Sequence, residues 1–341
     1  MAPLLSIVIP AYDAADYLRR ALDGLVDLGD VEVVVVDDGS TDATGRIADD
    51  AAARHWNVRV VHQANAGHGG AINAGFSTAR GRYVKVLDAD DRLDPIALRE
   101  VLRHLARLER ERDSVDVLVT DYVRDRLAGR TRTTSFAREL PAGRVFGWRD
   151  VRAMPRRRVL MMHALLYRTS FLREHRISLP EHTFYVDSLL VVLPLAQARR
   201  LSYLAVPLYR YTIGRPEQSV DPTVMVSRVD QQIRVSHLAL AAMPTTGSVL
   251  RGDTPVELHG LLLRYVQGLC AVTSATLARG GTDGHLRERR IFWSGVQAQR
   301  PDLYDSLRRS LLGAVSNLPG RAGACATRFA YALARRVIGF S

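Results

Sequence analysis

Three carboxylates crowd into four residues at Asp88-Ala89-Asp90-Asp91, directly after the mostly apolar run Val84 to Leu87. Magnesium and manganese ions favour hard carboxylate oxygens, and a diphosphate can complete their coordination. Aspartates two apart in extended chain point the same way. Asp94 is different, because Asp94-Pro95 has the form of a helix N-cap followed by proline in the first turn. Further acidic residues follow other apolar runs: Asp13 and the pair Asp37 and Asp38. His163, within Met161-Met162-His163-Ala164-Leu165, is either an acceptor-facing group or a hydrogen-bonded core histidine, and both readings stay open.

The elements that must position these groups are short. Leu4 to Pro10, Val31 to Asp37, Val58 to His62 and Tyr83 to Asp88 are β-branched runs of the kind found in strands buried on both faces of a parallel sheet. Tyr17, Leu18, Ala21, Leu22 and Leu25 recur at helical spacing, and Thr41 to His55 reads as a helix capped by Ser40 or Thr41. This alternation predicts a doubly wound α/β domain, whose ligands bind beyond the carboxyl ends of the strands. The acidic residues fall at those ends.

Motifs separate the nucleotide chemistries. The first strand runs into Ala11-Tyr12-Asp13 without the glycine-rich turn that brings backbone up to a dinucleotide pyrophosphate, which argues against a dehydrogenase. No Gly-Lys-Ser/Thr occurs, and Lys85 lies inside a strand, so a P-loop or kinase-type site is not indicated. Gly67-His68-Gly69-Gly70 opens a helix and is either a phosphate-facing N-terminus or a plain tight turn.

Five motifs in order carry a resemblance. Ile7-Val8-Ile9-Pro10-Ala11-Tyr12, Val33 to Asp42 with Asp37-Asp38-Gly39-Ser40, Asn65-Ala66-Gly67 through Ala71-Ile72-Asn73-Ala74-Gly75, Ala79-Arg80-Gly81, and Leu87 to Asp91 resemble family 2 glycosyltransferases of the GT-A fold. The likeness is strong from Leu4 to Asp94, looser from Val159 to Val220, and not evident in the C-terminal helices. It implies nucleotide-sugar contacts at Pro10, Tyr12, Asp13, Asp38, Asn73 and Asp88, with Asp13 standing where asparagine is usual. It implies Asp90 as the direct ligand of Mg²⁺ or Mn²⁺, with Asp88 nearer the ribose or the metal's water. It further implies Asp187 as the general base of an inverting transfer, although Val186 replaces the usual glutamate and helix capping is the competing role. Tyr209-Arg210-Tyr211 and Gly214 to Val220 resemble the segment that closes over the diphosphate, with Arg215 neutralising leaving-group charge. The implied donor is a UDP-sugar; the acceptor is a glycan, a lipid-linked molecule or a small molecule. A sugar-nucleotide nucleotidyltransferase and a non-catalytic binding module are the alternatives.

The chain of 341 residues is long enough for two domains. The boundary is expected near 224, with a GT-A catalytic domain over 1–224 and helices over 225–341, expected near Val224 to Ala242, Val256 to Leu277 and Leu303 to Val315. Residues 124–158 read as loops or short strands. A formal net charge of +11 invites an anionic partner, but no nucleic-acid motif accompanies it. Lys85 is the only lysine among 47 basic residues, so the charge reflects arginine usage. Two cysteines far apart predict neither a disulfide framework nor a thiolate metal site. The N-terminus reads as a first strand rather than a signal peptide, and the apolar runs read as too short to cross a bilayer, giving a cytoplasmic expectation. Residues 325–340 form a basic amphipathic pattern, read as a surface helix packed on the core or lying on a membrane. The helical half is also where a homodimer contact is expected.

Overall fold

The apolar runs Leu5–Ala11 (β1) and Val31–Asp37 (β2) are buried along their whole length in a computed structural model, which describes residues 2–126, 131–155, 158–213, 222–309 and 314. They pair in parallel, Ile7 opposite Val33 and Ile9 opposite Val35. Val58–His62 (β3) extends the sheet on one side of β2, and Tyr83–Val86 (β4) lies parallel to β1 on the other. The helices Ala15–Leu22 (α1), Thr44–Arg54 (α2) and Gly67–Thr78 (α3) connect them. Order reverses between β1 and β4, which opens the crevice where doubly wound sheets bind ligands.

Beyond β4 the chain forms Arg92–Leu93 (β5), Pro95–Arg110 (α4), Val117–Arg126 (β6), Arg132–Thr134 (β7), Val145–Phe146 (β8), Leu165–Arg168 (β9), Thr169–Glu174 (α5), Asp187–Gln197 (α6) and Leu201–Ile213 (β10). The sheet order is β3-β2-β1-β4-β9-β6-β10-β5, with β7 on β6 and β8 on β10. β6 and β10 run parallel, whereas β9 is antiparallel to both β4 and β6. The sheet is therefore mixed, a feature the βαβ pattern alone does not disclose.

One helix start differs from expectation. α2 begins at Thr44 with Ala43 at the cap position, and Ser40 and Thr41 belong to the preceding turn. The cause is Asp42, whose carboxylate accepts from Thr44 N at 2.8 Å and Ala15 N at 3.1 Å, holding the turn open until Thr44. Asp94 caps α4 as expected, accepting from Ile96 N and Ala97 N.

By its internal contacts the chain divides into residues 1–153 with 160–214, and residues 154–159 with 215–341. In the second unit the described helices are Pro222–Ser227 (α7), Val229–Ala242 (α8), Thr246–Leu250 (α9), Val256–Gly280 (α10), Asp283–Gln299 (α11) and Pro301–Arg308 (α12). α11 is unannounced by a clear apolar stripe, because its inner face includes Arg289 beside Phe292, Trp293 and Val296. Contrary to the expectation of short apolar runs, α10 has 25 residues with mean hydropathy 1.3 over its apolar window, long and apolar enough to cross a membrane. Within this unit it packs on α8 and α11, and 67% of that window is buried, as in a core helix. Residues 325–340 and Arg215 lie outside the described residues.

Candidate active site

The tip of β4 delivers Asp88 into a turn that ends at Asp91, with Asp91 N bonded to Asp88 O at 3.0 Å. Asp91 is buried, and its two oxygens are held separately: Oδ2 accepts from the Tyr209 hydroxyl at 2.8 Å and Oδ1 from Thr212 N at 2.8 Å. Burial, and then the neighbouring Asp88 charge, raise the Asp91 pKa. The same phenol accepts from Asp88 N at 3.2 Å, so one buried tyrosine ties both ends of the turn. Burial and the two carboxylates hold Tyr209 well above its ordinary pKa, in the donor form this geometry uses.

Tyr209 and Tyr211 are two apart on β10 and point to one face. His163 fills the space against them, edge-on to Tyr209 and stacked on Tyr211, with centroid distances of 4.5 Å in both cases. Its ring is buried and Nδ1 has no hydrogen-bond partner among the described residues. Burial, with help from the Lys85 and Arg124 charges, pushes His163 down to about 3, leaving a neutral imidazole with a lone pair. Among the described residues, ligand atoms of Asp88, Asp91 and His163 lie within 4.8 Å of one another. Two carboxylates and a neutral imidazole are a donor set that fits a divalent cation. Asp90 is half-buried on the same turn and is not a member of that group.

Lys85 lies beneath, wholly buried in β4. Its Nζ donates to the carbonyls of Met162, His163 and Leu165 at 2.9, 2.7 and 3.1 Å. Burial lowers its pKa to about 7, opposed by Asp88 and Asp91. Three carbonyls need three N–H groups, so the geometry is that of the ammonium form.

On the β1 and β2 side, Pro10 sits in register with Val36, and Tyr12 emerges 52% exposed. Asp13 has φ of 44°, a left-handed conformation that asparagine and aspartate tolerate best, so the change from asparagine keeps the turn. Its carboxylate accepts from Thr41 N at 2.8 Å and its own N–H donates to Ser40 Oγ at 3.1 Å. Asp38 is buried, with Oδ1 accepting from Gln63 Nε2 at 2.7 Å and Ala66 N at 2.8 Å.

The third wall is the loop before α6. Gly69 lets α3 approach so closely that a Cβ there would lie 2.4 Å from the Pro180 carbonyl. Asn73 donates to Leu179 O at 2.8 Å and accepts from Leu179 N at 2.9 Å, and His182 N donates to Ala66 O at 2.7 Å. The pinned loop leads to Asp187. Val186 occupies the cap position of α6 and Asp187 is the first helical residue. Burial raises the Asp187 pKa, with His68 pulling against it. His68, from the first turn of α3, has Nε2 3.6 Å from Asp88 Oδ1 and also faces the charges of Asp187 and Asp38. One imidazole thus lies beside Asp88 and within the field of the Asp187 and Asp38 charges.

The structure brings together Asp38, Asp88, His163 and Asp187, and it uses both polar atoms of the Asn73 amide on Leu179. The sequence marks Tyr209 only as part of the segment resembling the diphosphate closure, His68 only as part of a glycine-rich turn, Lys85 only as a strand residue and Asp91 only as part of the acidic cluster. For Tyr209 the available signal was its two-residue spacing from Tyr211 on a strand. For Lys85 it was a charge inside an otherwise apolar run.

Residues 6–173 match the model of glycosyl transferase family 2. The B. subtilis protein EpsH, named as a glycosyltransferase, is 28% identical over 275 residues, which are 75% of this chain and 71% of EpsH. The glycosyltransferase EpsJ of the same organism is 42% identical over 93 residues, a stretch spanning 27% of either chain. The chondroitin synthase of Escherichia coli is 43% identical over 98 residues, 28% of this chain and 14% of the synthase. The crystal structure of S. aureus TarS residues 1–349 in complex with UDP-GlcNAc superposes with a TM-score of 0.65 at 19% identity, covering 98% of this chain and 91% of that one. The chain belongs to the family 2 glycosyltransferases and has the GT-A fold with a helical C-terminal region.

Proposed function

We propose that the enzyme is an inverting glycosyltransferase that moves a sugar from a UDP-sugar to an acceptor hydroxyl, with a divalent cation, Mg²⁺ or Mn²⁺, at the aspartate turn. The observation that carries this reading is the placing of His68 beside Asp88 and within the field of the Asp187 and Asp38 charges. In this reading the nucleotide side and the base side of the transfer site meet at His68. The UDP-GlcNAc complex of TarS supports the choice of a uridine nucleotide.

Pro10, Tyr12, Asp13 and Asp38 line the nucleotide end. Asp88 and Asp90 would hold the cation, where ligand atoms of Asp88, Asp91 and His163 lie within 4.8 Å of one another. When bound, the cation supplies charge stabilisation for the departing diphosphate, so no acid need protonate it. Asp187 removes the acceptor proton, and its raised pKa suits that task because a base works best near ambient pH. Val186 is buried and replaces the expected glutamate without displacing Asp187 from the helix start. The GT-A domain over residues 1–224 carries this chemistry.

The test is a thermal-shift panel of nucleotide-sugars with and without Mn²⁺, followed by transfer assays. A ligand at ~100 times its dissociation constant adds about 2.7 kcal/mol, a readily measured shift. Asp187→Asn should abolish transfer yet keep nucleotide binding, and Asp90→Ala should weaken UDP binding in Mn²⁺. A panel in which no donor gives a metal-dependent shift would overturn the reading.

A further inference from the structure

Among 47 basic residues Lys85 is the one lysine. It is also wholly buried, at the level where β9 stops pairing with β4. The pairs are Tyr83 with Arg168 and Val84 with Tyr167; beyond them the antiparallel ladder ends. The chain instead bends through the short 3₁₀ turn Met162–Ala164, which turns the carbonyls of Met162, His163 and Leu165 toward the Lys85 side chain. The Lys85 ammonium takes three carbonyls from 162–165, one of them that of His163.

Arginine cannot replace it. A guanidinium spreads its five donors in a plane over three nitrogens, whereas three carbonyls converging on one point need a tetrahedral centre. In a chain that uses arginine for every other basic residue, this site requires lysine for its shape. The side chain also lies 4.8 Å from the centroid of the Tyr209 ring, whose hydroxyl ties Asp88 and Asp91. One cation therefore touches the backbone of the imidazole-bearing turn and the tyrosine that orders the aspartates.

We infer that Lys85 is a positioning residue of the transfer site: its ammonium fixes the turn 162–165, and through it the His163 imidazole, against the Asp88 and Asp91 carboxylates. Lys85 touches no substrate; it acts through His163 and Tyr209. The inference rests on the proposed transfer reaction for its kinetic consequence, but its structural part stands by itself.

The test compares Lys85→Arg and Lys85→Gln with the wild type, each checked for folding by near-ultraviolet circular dichroism. In folded variants kcat should fall at least tenfold and the cation concentration for half-activation should rise at least fivefold, while UDP affinity in chelator stays within threefold. In ¹⁵N-histidine-labelled protein the His163 imidazole signals, assigned with His163→Gln, should shift while those of His55 stay in place. A single lysine also permits a measurement that needs no variant. In ¹⁵N-lysine-labelled wild type the one Nζ signal should be that of a protected ammonium, and Mn²⁺ with UDP should broaden it.

An Nζ signal in rapid exchange with water, or a folded variant that keeps the His163 signals and a kcat within twofold of wild type, would overturn the inference. Absence of cation binding by calorimetry would instead remove the proposed function, while the histidine and lysine signals would still report on Lys85.

Discussion

The hydroxyl of Tyr209 donates to Asp91 Oδ2 at 2.8 Å and accepts from Asp88 N at 3.2 Å, so a strand more than a hundred residues downstream closes the aspartate turn. Tyr209→Phe removes these bonds, together with the 3.4 Å contact to Asp88 Oδ2, and leaves a buried carboxylate oxygen without its donor. The expected loss of stability is about 1–3 kcal/mol, the range for an unsatisfied buried group. Urea unfolding measures it. An activity assay should show a raised cation requirement in the same variant, and a variant as stable as wild type would show that the phenol is not holding the turn.

Asn73 makes a second long-range tie. Its amide clamps both backbone atoms of Leu179, on the loop that leads to Asp187. Asn73→Ala should lower kcat by tenfold or more, since a misplaced base costs far more than its own bond. UDP binding should change less than threefold if the residue serves the base loop rather than the donor. Calorimetry beside steady-state kinetics separates the two. Equal losses in affinity and kcat would place Asn73 on the nucleotide instead.

What the sequence disclosed, and what it did not, follows from the range of the interactions. Val33 to Val36 declare a doubly buried strand by composition, and Asp94-Pro95 declares a helix start, because both are decided by neighbours in the chain. The antiparallel β9 is decided by pairing with β4 and β6, far away in sequence, and nothing local marks its direction. The partners of Lys85 are 77 to 80 residues distant, so within its own strand it reads only as an anomaly. His68 in a glycine-rich turn was similarly mute until α3 packed against the 179–183 loop.

The raised pKa of Asp187 gives a pH profile. Burial disfavours its charged form, so the base is lost by protonation at a higher pH than an ordinary carboxylate would be. The rate should therefore fall on the acid side along a limb lying above the usual carboxylate range near 4. His68→Gln removes the imidazole whose charge favours ionised Asp187 and should move that limb further toward neutral pH. A profile of kcat against pH for both proteins checks the sign; a limb that moves toward acid would refute the coupling.

His62 bridges two carboxylates, with Nδ1 2.9 Å from Asp37 and Nε2 3.0 Å from Asp49. Bonds to Asp49 and then Asp37 raise its pKa above the ordinary value near 6.5, so the folded state binds this proton more tightly than the unfolded chain. The resulting stabilisation is fully present below the unfolded pKa and is lost as pH rises through the higher folded pKa. His62→Gln should thus lower Tm most at about pH 6 and least at about pH 9. Because the ring is 49% exposed, solvent screening keeps the difference small. Asp37 titrates in the opposite sense, at acid pH, since its own pKa is lowered by its hydrogen bonds to Ser40 and His62 despite burial. It leaves the neutral window to His62. Thermal unfolding of both proteins across that window is the measurement, and a Tm gap that widens toward alkaline pH would show that the bridge does not hold a proton.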